Sequence, residues 1–240
     1  MEPDIAAVAA MVSDPARARI LWALADGRGL PAGELARRAG VTPQTASSHF
    51  AMLTRGGFLV MIRQGRHRYY RLANSRVAQL LESLAAFAPE MPKEGGSRCA
   101  SELRLARTCY HHLGGRLAVV ITQAFLDRGW LFEDGLSYHL TDLGETRFTG
   151  LGVDLTELKR SGKILARPCL DWSERRNHLA GELGRAVAEC LFENRWICRV
   201  GSSRAVKLTD LGQQELPREL GVVLETLKPP IARDVSELQS

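Results

Sequence analysis

One block of sequence occurs twice in the chain, and this repeat limits how the second half can fold. His112-Leu-Gly-Gly-Arg-Leu-Ala, then Gly129-Trp130-Leu131, then His139-Leu-Thr-Asp-Leu-Gly144 return as His178-Leu-Ala-Gly-Glu-Leu-Gly, Arg195-Trp196-Ile197 and Lys207-Leu-Thr-Asp-Leu-Gly212. The His-to-Trp spacing is the same in both copies, and a cysteine precedes each, in Arg107-Thr-Cys109 and Arg167-Pro-Cys169. Each copy reads as a helix, a Trp-marked turn, a short strand, and a Leu-Thr-Asp-Leu-Gly segment that starts another helix. Two units rarely make a solenoid. They are expected to pack on each other as one pseudo-symmetric domain over residues 99–240, with repeats at about 107–160 and 167–220.

The remainder, residues 1–90, has a different character. Between Leu35 and Leu81 there are eight arginines and no aspartate or glutamate. Residues 1–100 hold 13 Lys/Arg against 8 Asp/Glu, whereas residues 101–240 hold 19 of each, so the whole net charge of +5 sits in the first part. An acid-free basic surface suits a polyanion partner. Local signals divide this region into a short helix from Ile5 to Val12 and a second behind the Asp14-Pro15 cap. A third, Glu34 to Ala39, closes at Gly40, and a fourth opens at Thr42-Pro43 and stops at Gly56-Gly57. Strands Phe58–Ile62 and Tyr69–Leu72 flank a basic hairpin turning near Gln64-Gly65, and Asn74-Ser75 caps a last helix from Arg76 to Phe87.

That order predicts a winged helix-turn-helix. The runs Asp14-Pro-Ala-Arg-Ala-Arg-Ile-Leu-Trp-Ala-Leu, Glu34-Leu-Ala-Arg-Arg-Ala-Gly-Val-Thr, Ser47-Ser-His-Phe-Ala-Met-Leu and Gly57-Phe-Leu-Val resemble the ArsR family of bacterial repressors across roughly residues 5–90. The resemblance implies a homodimer built from the first and last helices of this domain, with two recognition helices about one DNA turn apart on a palindrome. Both helices have more apolar surface than a small core can cover. Many members of the family sense metals through cysteines in the third helix or Asp/His pairs in the last. Here the third helix has no cysteine and the last has no histidine. The fold class expected for the whole chain is mainly α with small β wings (α+β). Residues 91–98 form a Gly/Pro-containing linker, and the C-terminal repeats are winged-helix-like units without a basic, acid-free face.

Double-stranded DNA is the expected partner. Thr42, Gln44, Thr45, Ser47, Ser48 and His49 lie on or near the polar face of the fourth helix, with Ala46, Phe50 and Leu53 turned to the core. Gln44 is long enough to pair with adenine, and the hydroxyls suit base edges or phosphates. Arg63, Arg66, His67 and Arg68 on the hairpin would hold the neighbouring backbone or minor groove.

The five widely spaced cysteines form no CxxC pair, which argues against a disulfide framework and for a reducing compartment. No signal peptide or membrane span is read from the sequence, so a cytoplasmic protein is expected. Glycine-rich phosphate loops, a GxSxG elbow and HExxH are absent, and no enzymatic activity, cofactor or resident metal is assigned.

The second repeat differs from the first by an insertion, Leu170-Asp171-Trp172-Ser173-Glu174-Arg175-Arg176. Cys109, Cys169, Trp172, Arg175, Arg176 and His178 are the expected effector residues, for a small molecule, a metal or an oxidant. Two other readings stay open. The insertion can be a salt-bridged connector with Trp172 as a core plug. Cys109, His112, Cys169 and His178 can make a soft-metal site, although histidines at the heads of helices also simply pack or cap. An alternative function is a cysteine-dependent enzyme using Cys169 and His178 with Asp171.

Overall fold

A computed structural model describes residues 2–89, 98–135 and 137–227. The first part is built from α1 (Ile5–Val12), α2 (Pro15–Ala23), β1 (Leu30–Pro31), α3 (Ala32–Ala39), α4 (Pro43–Arg55), β2 (Leu59–Gln64), β3 (His67–Leu72) and α5 (Ser75–Phe87). The caps fall where the sequence places them. Asp14 accepts from the Arg17 N–H, Thr42 from Thr45 and Asn74 from Val77, while Gly40 ends α3 in the left-handed region. Ile20, Leu21, Leu24, Leu35, Phe50, Leu53, Leu59 and Leu81 form one core. This is the winged helix-turn-helix the sequence predicts. Two details differ. The wing strands run further into the arginine segment, pairing Arg63 with Arg68 and Gln64 with His67. A third strand, β1, adds to the sheet through Leu30↔Tyr70 and Pro31↔Tyr69. At two residues, β1 is too short to show an alternating pattern.

Beyond α6 (Arg98–Leu105) the two repeats have the same element order. The first is β4 (Arg107–Cys109), β5 (His112–Gly114), α7 (Arg116–Asp127), β6 (Leu131–Asp134), β7 (Ser137–Leu140) and α8 (Asp142–Gly150). After α9 (Leu155–Arg160) follow β8 (Arg167–Leu170), β9 (Asn177–Ala180), α10 (Gly181–Glu193), β10 (Ile197–Arg199), β11 (Val206–Leu208) and α11 (Asp210–Glu215). Each repeat therefore opens on a hairpin that the sequence reading missed. His112 and His178 stand in its second strand and not at a helix head. The reason is the glycine that follows: Gly115 and Gly181 take φ of 87° and 85°, so the chain turns between strand and helix there. The expected linker at 91–98 falls outside the described residues apart from Arg98, which begins α6.

The repeats are interleaved. Helix α7 packs on β9, α10 packs on β5, and β5 lies against β9. Trp130, Phe125, Phe148, Leu183, Leu191 and Trp196 share one core. The Leu-Thr-Asp-Leu-Gly motif has one physical explanation in both copies. The Thr141 hydroxyl accepts from Gly144 N (2.9 Å) and donates to Gly129 O (2.6 Å); Thr209 accepts from Gly212 N (2.9 Å) and donates to Arg195 O (2.7 Å). The helix start is thus held against the Trp turn. A Cβ at Gly144 or Gly212 would overlap the carbonyl of Trp130 or Trp196. Among the described residues, no helix is long and apolar enough to cross a membrane.

Gly144→Ala and Gly212→Ala are each expected to lower unfolding free energy by about 1–3 kcal/mol, the usual range for overpacking. Gly150→Ala, with open space around it, is expected to be neutral or to stabilise by up to about 1 kcal/mol. Urea unfolding of the three variants checks this; equal midpoints would remove the packing explanation of the motif.

Candidate functional site

On α4, Thr42, Gln44, Thr45, Ser47 and Ser48 are exposed, while Ala46, Phe50 and Leu53 are buried. Several of these polar groups already have local partners. Thr42 Oγ1 caps the helix and lies 2.9 Å from Thr45 Oγ1, and Ser47 Oγ donates to Pro43 O at 2.8 Å. Gln44 and Ser48 project without such ties in the described residues. His49 is half-buried, with Nε2 3.9 Å from Asp14 Oδ1, so it faces the start of α2. On the wing, Arg63, Arg66, His67 and Arg68 are all exposed. Phe50 stacks on Tyr70 at 4.3 Å, fixing the wing to α4.

A second constellation lies between α5 and the hairpins of the repeats. Register pairs Cys109 with His112 across β4–β5, and Cys169 with His178 across β8–β9. The contact of β5 with β9 brings these pairs together: one donor atom from each of the four residues lies within 4.8 Å of the others. The two Nε2 atoms of His112 and His178 are 3.0 Å apart. The S–H of Cys109 faces Glu82 Oε2 at 3.0 Å and also the Cys169 sulfur. The neighbouring Cys169 sulfur, followed by burial, pushes the Cys109 thiol up to about 12, and the same contact lowers that of Cys169.

Charged side chains surround this cluster; of these the sequence reading named Asp171, in the enzyme alternative, and assigned no role to Arg107 or Glu82. Arg107, 1% exposed, donates from Nε to Glu82 Oε1 at 2.8 Å, from Nη1 to Leu103 O at 3.2 Å and from Nη2 to Asp171 Oδ2 at 3.0 Å. Asp171 also accepts from Gly115 N (2.7 Å), Ser173 N (2.9 Å) and Ser173 Oγ (2.7 Å). Its Oδ2 stands 3.2 Å from His178 Nδ1, off the line of a hydrogen bond. Burial alone would raise the Asp171 carboxyl, but His178 and Arg107 outweigh it and hold it well below the carboxylate range. Glu82 follows the same logic: burial opposes ionisation, and Arg107 with Arg204 overcomes it. A signal for Glu82 was present in the sequence. It shares the Ala78–Ala86 stripe, so it is a charge placed on the buried face of α5.

The insertion joins the two parts of the chain. Trp172 meets Trp22 of α2 edge-on at 5.0 Å and lies under Arg107 and Arg104. Arg175 donates to the carbonyls of Ala86 and Ala88 at the end of α5. Arg204, from the β10–β11 turn, reaches Ala25 O (2.8 Å), Thr108 O (2.9 Å) and Glu82 Oε1 (3.1 Å). Arg176 points elsewhere, to Gln123 Oε1 at 2.7 Å. Of the six expected effector residues, Cys109, Cys169 and His178 converge, Trp172 and Arg175 clamp the first part, and Arg176 is separate. A cleft of about 200 Å³ opens beside the thiols, lined by Glu82, Ser83, Phe87, Cys109, Pro168 and Cys169 among others.

Comparison with known proteins agrees with this architecture. Residues 12–62 match the Helix-turn-helix domain family model. The uncharacterized HTH-type transcriptional regulator YdfF of Bacillus subtilis (strain 168) is 39% identical over 224 residues, 92% of this chain and 99% of its own length, so the likeness includes the repeats. The HTH-type transcriptional regulator CmtR of Mycobacterium bovis is 39% identical over 83 residues, 35% of this chain and 70% of its own. Among solved structures, the homodimeric winged helix-turn-helix DNA-binding domain Mb0332 of Mycobacterium bovis is 29% identical, with 35% of this chain and 76% of that chain covered and a TM-score of 0.33. The chain belongs to the ArsR family of winged helix-turn-helix transcriptional regulators.

Arg107→Met leaves buried Asp171 without its arginine and Glu82 with Arg204 alone, and is expected to lower stability by about 3–5 kcal/mol. Removing the exposed partner in the Lys159–Glu145 pair, as Lys159→Ala, is expected to change it by less than about 1 kcal/mol. Chemical denaturation of both variants tests the contrast; a small loss at Arg107 would mean the network contributes little.

Proposed function

We propose that the protein is a transcriptional repressor that binds a palindromic operator as a homodimer, and that an effector sensed in the C-terminal half changes its affinity for DNA. The observation that carries this reading is the acid-free surface of α4 and the wing. Gln44, Ser48, Arg63, Arg66 and Arg68 are exposed there, on a helix whose opposite face is locked into the core. Positive charge on the wing supplies phosphate contacts, and the short polar side chains of α4 supply base readout.

The dimer reading is supported by apolar surface that the monomer leaves open. None of α1 is buried, with Ile5 73% exposed, and α5 presents Leu84 (44%) and Phe87 (84%) to solvent. A two-fold contact through these helices would cover both faces and place the two α4 helices on neighbouring major grooves. The effector reading is supported by the contacts of α5 with the repeats, through Glu82, Ala86 and Ala88. A change at the cluster therefore bears on the helix assigned to the dimer.

On a duplex selected from a random pool, Gln44→Ala is expected to weaken binding by about 1–3 kcal/mol and to leave random DNA nearly unaffected. Arg66→Ala is expected to weaken both and to reduce the salt slope by about one unit. Anisotropy at two salt concentrations decides this; unchanged binding in both variants would move the DNA interface elsewhere. The combined variant Ile5→Glu, Leu84→Glu is expected to sediment as a folded monomer with little operator affinity. A persistent, active dimer would show that the interface does not use α1 and α5.

A further inference from the structure

We infer that Cys109, His112, Cys169 and His178 form a four-coordinate site for a thiophilic divalent cation of the zinc–cadmium class, and that filling it loosens the hold of the repeats on α5. The second clause rests on the effector reading above; the first does not.

The donor set is produced by the pseudo-symmetry. Each repeat contributes one cross-strand Cys/His pair from equivalent strands, and the β5–β9 contact turns the pairs toward a common centre. Zinc–sulfur and zinc–nitrogen bonds of about 2.3 and 2.0 Å imply donor separations of about 3.3–3.8 Å in a tetrahedron. The four donors already lie within 4.8 Å of each other, and the closest nitrogens are 3.0 Å apart. Closing the site needs side-chain adjustments and no movement of an element. Two sulfurs and two imidazoles suit a soft or borderline cation and not magnesium or calcium, which prefer oxygen. Four protein donors also leave no open position for a substrate, as in structural and sensing sites.

The surroundings fit as well. Asp171 Oδ2 lies 3.2 Å from His178 Nδ1, so a ring rotation that aligns them would let the carboxylate orient the ligating imidazole. The two buried carboxylates are already matched by Arg107 and Arg204, so the cation is balanced by the two thiolates alone. The cleft beside α5 reaches both sulfurs and provides a path for entry.

Binding also changes the contact with α5. The Cys109 S–H now lies 3.0 Å from Glu82 Oε2. When the two metal–sulfur bonds form, Cys109 and Cys169 each lose a proton to solvent. Cys109 then has no hydrogen to donate, and Glu82 faces a metal-bound sulfur instead. One of the bonds holding the buried face of α5 to β4 is lost, while the hairpins become more tightly joined.

The test uses reduced, full-length protein titrated with Co(II) and Cd(II). One equivalent should give the visible bands of tetrahedral Co(II) and thiolate-to-cadmium charge transfer. Cys109→Ser and Cys169→Ser should each lower affinity by more than about tenfold, with far-UV circular dichroism confirming that each variant is folded. Cys198→Ser, at a half-buried thiol outside the cluster, should leave the spectra unchanged. Absence of the bands, or bands insensitive to Cys109 and Cys169, would overturn the site. In parallel, cadmium should weaken binding to the selected duplex by at least about fivefold. Bound cadmium with unchanged DNA affinity would keep the site and overturn its role as a switch. Failure of the metal-free protein to bind any duplex would instead overturn the DNA-binding reading.

Discussion

The relation between the two halves of this chain depends on the buried guanidinium of Arg107. It bonds Glu82 of α5 on one side and Asp171 of the second repeat on the other, with Trp172 stacked against it. A charge this deep is stable only with matched partners, because each ion sacrifices most of its hydration. Three segments far apart in sequence are thereby held to one arrangement: the last helix of the DNA-binding part, the first hairpin of repeat one and the insertion of repeat two. Arg204 and Arg175 add contacts to the same helix from other directions. Such a network fixes the geometry of the three segments, which is what the proposed relay from the Cys/His cluster to α5 would require.

Duplication explains why a Cys/His cluster arises at the centre of the second half. Two copies of one hairpin, packed face to face, bring like residues together at their shared axis. His112 meets His178, and the cysteines lie beside them. The insertion then breaks the symmetry, because only the second copy carries Asp171, Trp172 and Arg175. The insertion thereby adds contacts to α2 and α5, beside those that Arg107 and Cys109 of the first copy make with Glu82. In physical terms the repeated hairpins supply the Cys/His residues, and both Cys109–Glu82 and the asymmetric loop link them to α5.

Much of the first part was legible from sequence because its signals are local. Asp14, Thr42 and Asn74 are caps whose chemistry acts within three residues, and Gly40 and Gly57 mark left-handed turns. The exposed face of α4 followed from helical spacing alone. His49 departs from that reading: it is half-buried, with Nε2 3.9 Å from Asp14 Oδ1 at the start of α2. In the second half the repeat was visible, but the opening hairpins were not. β4 and β5 have three residues each, too few for alternation to register. The histidines were therefore placed at helix heads, and only the strand register shows each one opposite a cysteine. Arg107 and Asp171 both stood in segments the sequence singled out, but not as partners: 64 residues separate them, and only tertiary packing pairs them.

The central claim is that the state of the Cys/His cluster reaches α5 through the Glu82 contact. Amide hydrogen exchange across Ser75–Phe87, measured with and without one equivalent of Cd(II), tests it most directly. The account predicts opposite signs: slower exchange in β4–β5 and β8–β9 as the site closes, and faster exchange in the second half of α5 as the Cys109–Glu82 bond is lost. Protection confined to the hairpins, with α5 unchanged, would contradict it.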